Sequence, residues 1–299
     1  MKKRIIVLLM SILLISIIGC NKDNKSDTET QTDSKKEKIV FKIGGIPDQN
    51  ASKLNRRLEE LAEYIGEKTN LEVEYIPTVD YSALVTAFER GEIQLAWFGG
   101  LTGVQARSVT PNSEAIAQRP RDQEFHSVFI AQKKLKITQL SDIKGKRFTF
   151  GSESSTSGHL MPRFFMGENN VDADKDLDGA PNYSGSHDKT WKLVESGAFE
   201  VGALNEAVWE SAVTQNKVDL DKVDVFYTTP AYYDYNWTIN NVDPVFGPGT
   251  KEKVKAALLS IGSDKKEIMD LFQTEKFIES KNENYDAISS VAKKLHIIK

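Results

Sequence analysis

The sequence predicts an α/β fold with largely parallel strands, set behind an export leader and a tether. Three observations predict it. Strand-like and helix-like apolar patterns alternate from about Ile39 to Leu295. Glycine or capping turns follow four of the strands and open helices. A stretch without a single apolar residue, Asn21 to Lys38, separates this body from an apolar N-terminal run.

The chain has 299 residues, 39% of them hydrophobic, enough for one large or two medium domains. A formal charge of −4 without a basic stripe argues against nucleic acid as a partner. Lys2, Lys3 and Arg4 precede the apolar run from Ile5 to Ile18, which is short for a membrane span and reads as a signal peptide over residues 1–19. The run ends in Ile17, Ile18, Gly19 and Cys20, which resembles a bacterial lipobox and implies cleavage before Cys20 and lipidation of its thiol. Cys20 is the only cysteine, so disulfides and thiolate metal sites are excluded from the exported part. Residues 20–38 are then a lipidated Cys and a disordered tether; the eighteen residues after Cys20 would span roughly 25 Å. The body is expected at the cell membrane, lipid-anchored on its extracytoplasmic face.

Ile39 to Gly45 reads as a buried strand that ends in a glycine turn. Asn50 or Ser52 can cap a helix with Leu54, Leu58, Leu61 and Ile65 on one face. Leu71 to Ile76 alternates as the second strand. Asp80 caps a short helix with Leu84, Val85 and Phe88 inward; Gly91 stops it, and Ile93 to Phe98 is the third strand. Gly99 and Gly100 open the next helix at about Thr102. Ala115 to Gln118 and Ser127 to Ala131 are further strands, and the lysine-rich stretch 133–147 reads as a surface crossing. Phe148 to Phe150 starts a second α/β series. Lys189 to Ser196 and Glu206 to Thr214 read as helices around the strand Val201 to Leu204; Val223 to Thr228 is another strand. Amphipathic helices near Val254 to Ile261 and Asp286 to Leu295 close the chain.

The turns carry the functional argument. They lie at Gly44 to Asn50, Thr78 to Tyr81, Gly99 to Thr102 and Ser154 to Ser157. In open α/β sheets ligands bind beyond the carboxyl ends of strands, and helix N-termini attract anions through free N–H groups. Two lobes with such turns face to face would make an anion-binding cleft.

Ser152, Ser154, Ser155, Thr156 and Ser157 crowd five hydroxyls into six positions between a strand and a helix. The flanking patterns exclude a linker, and no G-x-S-x-G marks a nucleophile turn. A cradle of hydroxyls and amides fits; capping by one serine is the plainer reading. His187 lies in a similar glycine–serine turn, which favours a ligand-facing position, although a lone histidine is usually structural or exposed. His126, His159 and His296 share no metal-ligand spacing with it, so neither metal nor cofactor is expected. Asp174, Asp176 and Asp178 begin like a calcium loop, but Gly185 stands where the bidentate glutamate belongs and Pro181 breaks the pattern; a solvated acidic loop is the better reading. Ser141 and Lys144 match S-x-x-K, which is short enough to arise by chance. Tyr232, Tyr233, Tyr235 and Trp237 surround Asp234, as core packing or as the edge of a closing cleft.

Several blocks together resemble a known family: "YIPTVDYSALVTAFERGEIQLAWFGG", "SSTSG", "SGSHDKTWKLVESGAFEVGALNEAVWE" and "YYDYNW". They are similar to the PhnD-type phosphonate-, phosphite- and phosphate-binding proteins of ABC importers, over about Phe41 to Ile298. "IPDQN" and "AWFGGLTGVQAR" resemble a branch labelled as selenate binders. The resemblance implies a type II periplasmic-binding fold: lobe 1 at 39–133 plus 233–299, lobe 2 at 134–232, and a two-strand hinge. It implies a non-enzymatic, monomeric receptor that delivers one small oxyanion to an ABC permease. Tyr81 would bond the ligand from the first lobe, Ser155, Thr156 and Ser157 would hold its oxygens, His187 would donate to it, and Asp234 would sit at the closing edge. Glu206 matches a position that contacts a ligand amine in phosphonate binders. Two rivals stay open: an exported hydrolase using a serine with His187 and Asp188, and a receptor that stacks an organic ligand on the aromatic stretch.

Overall fold

The computed structural model describes residues 39–262 and 265–299; the predicted signal peptide, Cys20 and the tether lie outside them. The first lobe begins with β1 (Phe41–Gly45), α1 (Ala51–Thr69), β2 (Val73–Tyr75), α2 (Tyr81–Glu89), β3 (Leu95–Phe98), α3 (Gly100–Val109) and β4 (Glu114–Gln118). The second holds β5 (Ser127–Gln132), β6 (Phe148–Phe150), α4 (Met161–Glu168), β7 (Asn182–Tyr183), α5 (His187–Glu195), β8 (Val201–Asn205), α6 (Glu206–Thr214) and β9 (Val223–Thr228). The chain returns through β10 (Asn236–Ile239), α7 (Asp243–Phe246), α8 (Thr250–Leu259), α9 (Lys266–Phe272), β11 (Ile278–Glu279) and α10 (Asp286–Lys294).

Among the described residues the strands form two sheets, ordered β11-β4-β10-β3-β1-β2 and β7-β6-β8-β5-β9. The expectation of largely parallel strands needs correction. β1 runs parallel to β2 and β3, and β6 to β7 and β8. β10 runs antiparallel to β3 and β4, and β5 antiparallel to β8 and β9. The cause is the path of the chain. β5 and β10 each enter their sheet from the other lobe, at the end where β3 and β8 stop, so they run back against them.

The expected lobe boundary at 133/134 also moves. Residues 127–132 form β5, a middle strand of the second sheet, so that lobe begins before Ser127. Being covered on both faces, β5 splits its side chains between two cores: Phe129 and Ala131 face one, Val128 and Ile130 the other. The two crossing segments meet at Phe125 and Tyr232, which exchange backbone hydrogen bonds of 2.8 and 3.0 Å. Beside them lies a buried ion pair. Arg119 Nε and Nη2 donate to the two Asp122 oxygens at 2.8 and 2.6 Å, and Asp122 O accepts from the Asp234 N–H at 3.1 Å. Phe41, Ile43, Leu58, Leu95, Phe98 and Trp237 belong to the first lobe's core. Among the described residues no helix is long and apolar enough to cross a membrane.

Candidate functional site

Helix α3 shows how the site is assembled. Its N-cap is Gly99, which has no side chain to offer. The cap bonds come from elsewhere: the Gly100 N–H donates to Asp234 Oδ1 at 2.8 Å and the Leu101 N–H to Thr156 Oγ1 at 2.9 Å. Asp234 belongs to the returning crossover and Thr156 to the second lobe, so the first turn of α3 is completed across the cleft. The approach is close enough to favour glycine. A Cβ on Gly99 would lie 3.1 Å from Thr156 Oγ1 and 3.4 Å from Asp234 Oδ1.

Thr156 stands in the hydroxyl cluster that follows β6. Ser155 caps the turn, its Oγ accepting from the Gly158 N–H at 2.9 Å. Residues Thr156–Leu160 then form a π turn that runs into α4. Such widened turns are rare and recur at functional sites. This one packs tightly: a Cβ on Gly158 would lie 3.0 Å from both Gly151 Cα and His187 Cε1. On the outer side the His159 Nδ1–H donates to Glu153 O at 2.6 Å, while its Nε2 accepts from Arg163 Nε at 3.0 Å.

His187 opens α5 and is fully buried. Its backbone N–H donates to Asp48 O at 3.0 Å, joining the lobes. Its Nδ1 accepts from the Asn205 N–H at 3.3 Å, and its Nε2 lies 3.4 Å from Tyr235 Oη. A ring that accepts at Nδ1 carries its proton on Nε2. Burial pushes its pKa down to about 4 against the pull of Asp188, so the ring is a neutral donor.

Tyr81 opens α2, fixed by Asp80, whose carboxylate accepts from the Ala83 N–H at 2.7 Å. Burial, with Asp48 and Asp234 nearby, holds the Tyr81 phenol well above its ordinary value; the Ser155 hydroxyl pulls the other way without a hydrogen bond of good geometry. Burial pushes the Asp234 carboxyl up to about 7, against the Gly100 amide and the Thr156 hydroxyl, while the Asp122 charge adds to the rise. Asp48 is pushed up to about 6, again by burial, although Tyr235 and Arg119 oppose it.

Among the described residues six buried side-chain polar atoms lack a hydrogen-bond partner within the protein, and three of them are Tyr81 Oη, Ser157 Oγ and Asp234 Oδ2. Each such atom costs about 1–3 kcal/mol if nothing satisfies it. The structure therefore gathers Tyr81, Ser155, Thr156, Ser157, His187 and Asp234 at the carboxyl ends of β3 and β6 and their neighbouring turns. Glu206 stands apart. It is half-buried at the start of α6, within electrostatic reach of Tyr232 but without a hydrogen bond to this group. The sequence names neither Asp48 nor Asn205 as a site residue; it marks the turns Gly44 to Asn50 and Gly99 to Thr102 only as turns, and leaves Tyr235 between core packing and a cleft edge. Asp48 had a signal, since it follows β1 at the strand's carboxyl end; Tyr235 was hidden among neighbouring aromatics.

The rival readings lose their parts. The Asp188 carboxylate is held by Ser186 and Lys192, and His187 Nδ1 faces a main-chain amide, so the pair activates no serine. Lys144 pairs with Asp176 at 3.0 Å. The acidic loop satisfies itself: Asp172 accepts from the Asp174 N–H and pairs with Lys175, and Asp174 pairs with Arg163. Among the described residues no His, Cys, Asp and Glu cluster could hold a metal. The aromatic stretch is packing: Tyr235 stacks on Trp97 at 5.4 Å and 21°, and Trp237 is in the core.

Residues 43–285 match the family described as "ABC transporter, phosphonate, periplasmic substrate-binding protein". The chain is 41% identical over 270 residues to a probable ABC transporter phosphite-binding protein, PhnD1, of Prochlorococcus marinus, covering 87% of this chain and 91% of that one. It superposes on the structure of PhnD1 from that organism in complex with methylphosphonate with a TM-score of 0.84 at 40% identity, covering 87% of this chain and 99% of that one. A binding-protein component of an ABC phosphonate transporter from Pseudomonas aeruginosa shares the fold, with a TM-score of 0.74 at 21% identity over 85% of this chain and 86% of that one. The two lobes are those of the type II periplasmic-binding fold. The chain belongs to the family of periplasmic substrate-binding proteins of ABC phosphonate transporters, which are transport proteins and not enzymes.

Proposed function

We propose that this family member captures a compact tetrahedral oxyanion of the phosphonate class (phosphite, methylphosphonate or phosphate) between its lobes and presents it to its ABC permease. The observation that carries the reading is the set of three buried, unpartnered atoms on Tyr81, Ser157 and Asp234. An anion has acceptor oxygens for the two hydroxyls, and an acidic O–H has a proton for the carboxylate. Ser155, Thr156 and the amides of the π turn would take further oxygens, and the His187 Nε2–H would add a neutral donor. Charge-assisted hydrogen bonds contribute about 1.5–3 kcal/mol each, so four or five suffice for tight capture. Because these donors are neutral, the site gains no full countercharge that would oppose release. Glu206, outside the cluster, would meet only a ligand with an extended cationic arm. The ligands named for the Prochlorococcus relative, phosphite and methylphosphonate, support the class.

The same reading places the receptor at the outer face of the cell membrane as a monomer held by a lipid on Cys20, a proposal that rests on the leader and tether sequence. A thermal-shift screen with phosphite, methylphosphonate, phosphate, sulfate and selenate tests the ligand class. Stabilisation by a phosphorus oxyanion supports it; a melting curve indifferent to all three would sink it.

A further inference from the structure

One carboxylate in the cleft is already spoken for. Asp48 follows β1 and is 5% exposed. Its Oδ2 accepts from Tyr235 Oη at 2.9 Å, so it is not aimed at the oxyanion. Its backbone oxygen accepts from the His187 N–H at 3.0 Å. Tyr235 Oη in turn accepts from Asn205 Nδ2 at 2.8 Å and lies 3.4 Å from His187 Nε2. Asp48 and Tyr235 both belong to the first lobe, so their bond stands by itself; the bonds of the Asp48 carbonyl to His187 and of the Tyr235 hydroxyl to Asn205 and His187 cross to the second lobe and exist only while the lobes are together.

We propose that Asp48 is a positioning residue of the binding cycle, a latch that joins the lobes through Tyr235 and sets the His187 imidazole when the cleft shuts. The proposal rests on the ligand reading above. Its physical content is that closure removes a carboxylate from water. The groups facing Asp48 are Tyr235 before β10, Arg119 after β4, His187 and Asp188 on α5, and Tyr81 on α2. Arg119 is committed to Asp122 and Asp188 repels, so the burial is only partly compensated. Burial between the lobes holds the Asp48 carboxyl at about 6 against an ordinary 3.8, and the proposal assigns that rise to closure. A raised carboxyl favours the closed state fully below the lower value, and that contribution is lost as pH rises through the higher one. Ligand capture should then take up a proton at Asp48 between these limits.

The experiment is calorimetric titration of wild type, Asp48→Asn and Tyr235→Phe with phosphite and methylphosphonate at pH 5 and pH 8. Comparing proteins at one pH removes the ligand's own titration. Asn mimics the protonated carboxyl. The affinity ratio of Asp48→Asn to wild type should therefore rise about tenfold from pH 5 to pH 8. Tyr235→Phe keeps the ring on Trp97 but removes the donor, and should weaken binding more at pH 8 than at pH 5. A residue that merely supports the fold would lower affinity equally at both pH values, and that result would overturn the latch. Should Asp48→Asn not fold, the Tyr235→Phe arm decides alone. If neither probe binds wild type, the ligand reading fails, and the latch is judged on melting. A flatter pH dependence of melting for Asp48→Asn between pH 4 and 7 supports it; parallel curves overturn it.

Discussion

The Leu101 amide of the first lobe donates to the Thr156 hydroxyl of the second at 2.9 Å. Because that hydroxyl accepts from the amide, its own proton is free for Asp234 or for a bound oxygen. Thr156 thus links closure and capture in one side chain. Thr156→Ala should weaken phosphite binding by ten- to a hundredfold, or about 1–3 kcal/mol, with a much smaller change in melting temperature. Thr156→Ser should restore most of the affinity. Titration calorimetry on the three proteins checks this; an unchanged affinity for the alanine variant removes Thr156 from the site.

Gly99 tests how tightly the lobes meet. A methyl there would crowd Thr156 Oγ1 at 3.1 Å, closer than an ordinary contact, while the backbone of Gly99 sits in the extended region that any residue adopts. The substitution should therefore spare the first lobe and hinder closure. Gly99→Ala is expected to bind phosphite at least about tenfold more weakly while unfolding at nearly the wild-type denaturant midpoint. Equal loss of both would mean that the contact supports folding and not capture.

These two residues also show what was legible in the sequence. Thr156 and its neighbours were readable because hydroxyls at a strand-to-helix turn have few other uses, and Gly99 because paired glycines after a strand open helices. The direction of β5 and β10 was not. Apolar alternation records burial and period, and a strand that enters from the other lobe carries the same pattern as one that does not. Asp48 and Asn205 escaped for a related reason. Their roles depend on partners 187 and 30 residues away, Tyr235 in both cases, and local chemistry cannot announce a pairing made by the fold of one lobe or across two. Glu206 is the opposite case: its position suits an amine contact, and the cluster around Thr156 forms without it.

His187 makes a prediction about protonation. Its pKa is pushed from an ordinary 6.5 down to about 4 by burial. A depressed base contributes stability that is present above the ordinary value and lost as pH falls through the lower one. Nitrogen-15 NMR should find the ring neutral and protonated at Nε2 down to pH 5, in the free and the phosphite-bound protein. An imidazolium at pH 6 would instead assign the anion a full countercharge.

Cys20 can be tested apart from the cleft. Cys20→Ala should move the protein from the membrane to the soluble fraction without altering phosphite affinity, since residues 21–38 hold no apolar side chain to tie the leader to the body. Membrane fractionation with lipid labelling reads it out, and a variant that stays labelled would refute lipidation at Cys20.

Asp234 carries the sharpest prediction about selectivity. Its Oδ1 is taken by the Gly100 amide and its Oδ2 is buried without a partner. An ionised carboxylate there repels a dianion but accepts from a ligand O–H; a protonated one can donate to any oxyanion. Burial lifts the group from an ordinary 3.8 to about 7, so its contribution to the closed state is fully present below the first value and lost as pH rises through the second. Selenate and sulfate have no proton of their own near neutral pH, which makes them clean probes. Their affinity for wild type should fall by about tenfold to a hundredfold from pH 5 to pH 8. Asp234→Asn, which always has an amide to donate, should flatten that fall by close to one proton. It should also narrow the gap by which phosphite outbinds selenate at pH 7.5. Selenate binding tighter than phosphite in wild type at that pH would mean that Asp234 keeps its proton throughout, and that the carboxyl is a permanent donor instead of a filter.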